Sequence, residues 1–129
     1  MKGDISAHLP AGTLLFSAYD DDYLRLNEHK HNTGLIIHGN IVTAPWGPAC
    51  LSDLNLQQLE AITASPPEVI LLGTGRTTAF PDREILDYMA DHHIGFECMD
   101  TRAAARTYNI LVGEGRTVSA AMLLPGAKK

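Results

Sequence analysis

Val69-Ile70-Leu71-Leu72-Gly73-Thr74-Gly75-Arg76 is the stretch whose reading decides the fold. Four consecutive apolar residues predict a strand buried on both faces, and the two glycines after it predict a tight turn with open backbone N–H groups. Downstream, Pro81 suits the first turn of a helix that carries Ile85, Leu86 and Met89 and runs to His92-His93, with Gly95 as its stop. Gly95-Phe96-Glu97-Cys98-Met99 reads as a second strand. Strand, helix and strand within about thirty residues make a βαβ unit, so the two strands are expected to be parallel. Asp100 or Thr101 then caps a helix with Ala104, Tyr108 and Leu111 on one stripe, ended by Gly113-Glu114-Gly115, and Thr117 to Leu124 forms a last strand.

Upstream the pattern is looser. Met1 to Thr13 reads as a loosely held arm, Leu14-Leu15-Phe16 as a short strand, and Asp20-Asp21-Asp22 as a solvated turn, because adjacent carboxylates repel. Tyr23 to Leu26 is a strand. His29 and His31 would share a face if extended, but no third metal ligand lies near them in sequence. Leu35 to His38 and Ile41 to Thr43 flank Gly39-Asn40, the clearest hairpin signal in the chain. Ala44-Pro45-Trp46-Gly47-Pro48 breaks regular structure. Ser52 or Asp53 is expected to cap one helix through Thr63, with Leu54, Leu56, Leu59 and Ile62 inside, stopped at Ser65-Pro66-Pro67.

The bulk properties bound the function. A chain of 129 residues is expected to form one domain that needs no staples. Its formal net charge is −5, and its ten basic residues are scattered, which argues against nucleic acid or an anionic membrane as partner. Cys50 and Cys98 form no C-x-x-C pair, so reduced thiols and a cytoplasmic location are expected. The N-terminus has no signal-peptide pattern, and no apolar run approaches the ~18 residues of a membrane span.

Ligands of parallel sheets bind beyond the strand carboxyl ends. Here those ends are Gly73, Thr74, Gly75 and Arg76 with Asp100, Thr101 and Arg102, a set of open donors and guanidinium groups suited to a small anion. A dinucleotide site is disfavoured because Thr78 stands where the third glycine of G-x-G-x-x-G belongs, although Glu97 lies where an acidic ribose partner would. There is no P-loop, no nucleophile elbow and no metal-ligand set, so no catalytic residue, cofactor or metal is assigned. Cys98 reads as a packed, inert thiol and Tyr108 as core. Trp46, the only tryptophan, reads as a core lid by composition and, in its Pro-rich loop, as a candidate partner surface.

Ile70-Leu71-Leu72-Gly73-Thr74-Gly75-Arg76, Ile94-Gly95-Phe96-Glu97, Asp100-Thr101, Ala103 to Asn109, Glu114-Gly115-Arg116 and Ala120-Ala121 together resemble the Mth-like domain family of unknown function. That family includes a mitochondrial complex I assembly factor. The resemblance spans Leu35 to Pro125. It implies an α/β, three-layer fold with a central mixed, mostly parallel sheet flanked by helices, plus an added N-terminal β-hairpin. It carries over no enzymatic activity and no cofactor. It favours a non-enzymatic binding or assembly module with a protein partner. A small-anion binder or enzyme at the glycine-turn crevice is the alternative, and the hairpin edge could also pair with a second copy.

Overall fold

The computed structural model describes residues 9–129. The expected arm, Met1 to Thr13, lies largely outside them. Its described end is fastened to the Gly39-Asn40 turn, where Asn40 accepts from Leu14 N at 2.9 Å and donates to Gly12 O at 3.1 Å.

The chain opens with a three-stranded antiparallel sheet, β1 (Phe16–Asp20), β2 (Tyr23–Leu26) and β3 (His29–His31). β4 (Leu35–His38) and β5 (Ile41–Thr43) form the predicted hairpin, in which Gly39 and Asn40 both have φ 58°. Positive φ at both central residues is what a primed two-residue turn requires. A short α1 (Glu60–Thr63) leads to β6 (Val69–Gly73), α2 (Arg83–Asp91), β7 (Gly95–Met99), α3 (Thr101–Gly113) and β8 (Val118–Met122). The second sheet has the order β5-β4-β8-β6-β7. β6 pairs parallel with both β7 and β8, and β4 closes antiparallel on β8. The decisive stretch is therefore the middle parallel strand, and all five of its residues are buried.

Alternation along the strands divides the core in two. Leu71, Val69, Ala120 and Met122 face α3 and the small sheet, meeting Phe16, Leu24, Leu26, Ala104, Ala105 and Tyr108. Ile70, Leu72, Ala121 and Leu123 face the opposite layer, meeting Leu54, Leu59, Ile62, Ile85 and Met89. Two helical layers on opposite faces of a buried parallel core give the three-layer α/β architecture.

Four local readings need correction. The strand expected at Leu14-Leu15-Phe16 begins at Phe16 and runs through Asp20, because Ala18 to Asp20 pair with Arg25 to Tyr23. The helix expected from Ser52 or Asp53 to Thr63 is broken into 3₁₀ turns at Leu51–Asp53 and Leu56–Leu59 followed by α1. Asn55 is the cause. Its side chain accepts from Gln58 N at 3.0 Å while the Gln58 side chain accepts from Asn55 N at 2.9 Å, a capping box that restarts the helix. α2 begins at Arg83 with Asp82 as its N-cap, so Pro81 precedes the helix instead of opening it. The residue that turns the chain after α2 is His93, with φ 55°. Gly95 already belongs to β7, where a Cβ would stand 2.5 Å from Glu68 O.

Candidate functional site

The structure brings all seven residues of the predicted crevice together at the carboxyl ends of β6, β7 and β8, and it fills that crevice with the chain itself. Thr74 N donates to Met99 O at 2.9 Å, and the buried Thr74 hydroxyl donates to Thr77 O at 2.7 Å. Gly75 N donates to Thr101 Oγ1 at 2.9 Å, and that hydroxyl donates onward to Leu123 O at 2.9 Å. Thr101 N returns to Gly75 O, and Leu123 N to Gly73 O, both at 3.0 Å. Asp100 caps α3 by accepting from Ala103 N. The donors read as open from the sequence are thus satisfied internally, as buried backbone groups must be.

The last residues of the chain complete the closure. Arg76 N donates to Ala127 O at 2.9 Å, and a Cβ on Gly75, whose φ is +98°, would lie 2.4 Å from the same oxygen. Only glycine allows that approach. Gly126 N donates to Asp21 O at 2.9 Å, which draws the β1–β2 turn over the tail.

The Asp20-Asp21-Asp22 run is therefore not a purely solvated turn, as read from the sequence. Asp21 sits between both guanidinium groups of the crevice, accepting from Arg102 Nη2 at 2.8 Å and from Arg76 Nη2 at 3.1 Å, and Asp20 lies 3.7 Å from Arg102. The hydrogen bonds from Arg102, then Arg76, hold the Asp21 carboxyl below the usual carboxylate range, and Asp21 in turn raises Arg102. No local motif signals these partners, which lie 81 and 55 residues away.

Trp46 lies beside the same end of the sheet. Its indole is half-buried against the α1 and α2 layer, and its Nε1 donates to Gln58 O at 2.7 Å. The loop and the Asp21 turn border one cleft of about 410 Å³, whose walls include Asp22, Asn32, Pro45 and Pro48. The Trp46 loop thus faces, across this cleft, the Asp21 turn that the two arginines hold.

Elsewhere the chemistry is quiet. Burial pushes the Cys98 thiol up to about 12, helped by the neighbouring Glu97 charge. His29 and His31 lie on β3, and among the described residues no three His, Cys, Asp or Glu side chains are placed to hold a metal ion. No helix of the described residues is long and apolar enough to cross a membrane.

Comparison with known proteins places this architecture. A family model described as a protein of unknown function (DUF498/DUF598) matches residues 16–123. The chain belongs to this family. The solution NMR structure of a Bordetella pertussis protein described as a Mth938-like domain superposes with a TM-score of 0.76 at 29% identity, covering 98% of this chain and 93% of that one. The NMR structure of a Xanthomonas campestris protein gives 0.78 at 34% identity, over 92% of each chain. The resemblance to the Mth-like family and its three-layer fold therefore holds. The Xenopus tropicalis protein named NADH dehydrogenase [ubiquinone] 1 alpha subcomplex assembly factor 3 is 32% identical over 110 residues, 76% of this chain. The chain spans only 60% of that relative's length.

Proposed function

We propose that this DUF498/DUF598 chain is a non-enzymatic protein-binding module of the assembly-factor kind, working in the cytoplasm through the surface around Trp46. The observation that carries the reading is its likeness, over 76% of the chain, to a relative named an assembly factor. The geometry supports it. The Trp46 indole is anchored by its own N–H, so it is presented to the cleft without loss of side-chain freedom on binding, as a binding anchor should be. Asp22 beside it, and the net charge of −5, suit a partner that offers a basic side chain.

Native mass spectrometry of the gently purified protein, wild type against Trp46→Ala, tests the proposal. A heteromeric mass for wild type that vanishes in the variant, with an unchanged amide spectrum, is the expected result. A heteromer that survives the substitution refutes the surface, and a wild-type protein that is always alone refutes the module.

A second reading has its own support, since two guanidinium groups already converge on one carboxylate, that of Asp21. A small anion could take the place of Asp21 between Arg76 and Arg102, against the ends of β6 and β7. Titrating inorganic phosphate into Asp21→Asn, with amide shifts read at Gly75 and Arg102, tests this. The reading predicts saturable shifts there and weaker ones in wild type, and a flat response in both removes it.

A further inference from the structure

A cavity of about 590 Å³ lies at the opposite end of the sheet, where β6 and β8 begin, within the size range of small-molecule sites. Tyr108, on α3, lines it and is 3% exposed, with its ring edge-on to Phe16 at 5.5 Å between centroids. Its hydroxyl has no hydrogen-bond partner among the described residues. Every fully buried side-chain nitrogen or oxygen there does have one, so this hydroxyl must reach the cavity's solvent. A phenol whose ring is packed and whose hydroxyl opens to the cavity is a fixed donor aimed at whatever enters there. Burial pushes its pKa up to about 12, so near neutral pH it is a donor and not an anion.

Two further groups border the same space. Ser119, 1% exposed on β8, lies with its Oγ 2.7 Å from His38 Nδ1 on the hairpin, which leaves His38 Nε2 without a partner among the described residues. Arg116 also lines the cavity. Its Nε is ion-paired with Glu68 Oε2 at 3.6 Å, and its Nη nitrogens have no partner among the described residues. Glu68 is otherwise engaged by Thr117, whose N and Oγ1 both donate to its Oε1. The remaining wall is apolar, including Pro66, Val112 and Val118. A phenol donor and a guanidinium beside Val112 and Val118 match a carboxylate on a hydrophobic body, while Ser119 and His38, alternating with Ala120 and Ile37 onto the other face of the sheet, border the cavity from there.

We propose that this cavity is a binding site for a small organic carboxylate with an aliphatic or aromatic body, its carboxylate accepting from Tyr108 and Arg116. The site is independent of the Trp46 surface and of the arginine pair at the other end of the sheet. The test is titration of the ¹⁵N-labelled full chain with benzoate and with hexanoate, and with benzamide as the uncharged counterpart of benzoate. At least one carboxylate should give saturable shifts at His38, Val112, Val118 and Ser119, and benzamide should bind about tenfold more weakly or worse. Arg116→Gln changes an exposed residue, and Tyr108→Phe keeps the buried ring, so both variants should fold. Each should raise the Kd about tenfold or more. No saturable shift with either carboxylate to about 10 mM, the weak end for ligands of this size, overturns the proposal. So do shifts confined to Arg76 and Arg102, or affinities unchanged in both variants.

Discussion

Replacing Thr101 by valine removes one oxygen from the interior and breaks the junction of three parallel strands. The Thr101 hydroxyl accepts from Gly75 N and donates to Leu123 O, each at 2.9 Å, and the residue is 0% exposed. Valine keeps the shape and the β-branch but leaves one buried N–H and one buried C=O unpaired, each costing about 1–3 kcal/mol. The methyl that replaces the hydroxyl returns less than about 1 kcal/mol of that. At the middle of these ranges the net loss is about 3 kcal/mol, a large share of the 5–15 kcal/mol typical of a domain. Urea unfolding followed by circular dichroism measures it. With a slope of about 1–2 kcal/mol/M expected for a chain of this length, the midpoint should fall by roughly 1.5–3 M with the slope unchanged. Thr101→Ser keeps both hydrogen bonds and loses only a methyl, so it should cost about 1 kcal/mol. Equal losses for the two variants would refute the argument, because the damage would then come from packing and not from the stranded polar groups. Hydrogen exchange gives a second reading, since the Ile70 amide should lose protection only by the global loss while the Gly75 amide loses its hydrogen bond as well and falls further.

Further expectations test the same closure and its surroundings. Gly75→Ala puts a Cβ 2.4 Å from Ala127 O at φ +98°, so the variant should lose about 2–4 kcal/mol or release the tail, seen as new exchange at Arg76 N. Asp21 has its pKa lowered by two arginines, so its contribution is present above the unfolded value of 3.8 and is lost as pH falls through the lower folded value. Asp21→Asn should therefore flatten the fall in thermal midpoint below about pH 4, and added salt should shrink the difference between the two proteins at neutral pH. Cys98 and Cys50 are both half-buried, but with the Cys98 thiol held near 12, Cys98 should react with a disulfide reagent at pH 8 far more slowly than Cys50 in the folded protein and at a comparable rate on unfolding.

What could be read from the sequence was what the chain decides locally. The apolar run at Val69–Leu72, the Gly39-Asn40 turn and the Asp100 cap each follow from a few adjacent residues, and each was legible. The helix through Leu54 to Ile62 misled because its apolar spacing is genuine, and those leucines are buried, but the Asn55 side chain competes for the backbone and splits it. At the crevice the sequence located the right loops without their occupancy. Arg76 and Arg102 are partnered by Asp21, Arg76 N by Ala127 O and the Thr101 hydroxyl by Leu123 O, all remote in sequence or in a tail with no motif. The Ser119 and His38 pair was missed for the same reason, since 81 residues separate them and neither belongs to a recognisable pattern.

The closure bears directly on how an external anion would behave at the strand ends. Asp21 is held on the same chain and meets both guanidinium groups at once, so a free anion competes with a tethered carboxylate. Its apparent affinity is the intrinsic one reduced by the fraction of molecules in which Asp21 has withdrawn. That withdrawal also strains the Asp21 O hydrogen bond to Gly126, and with it the tail that accepts from Arg76 N. An anion that bound there would thus loosen Pro125 to Lys129, whereas a partner docking on Trp46 has no such toll, because the indole is already fixed by Gln58. Limited digestion by carboxypeptidase separates the two. Faster loss of Lys128 and Lys129 in the presence of phosphate would show that the arginine crevice takes anions at the expense of its own tail, and an unchanged rate would leave the clamp as a purely structural device.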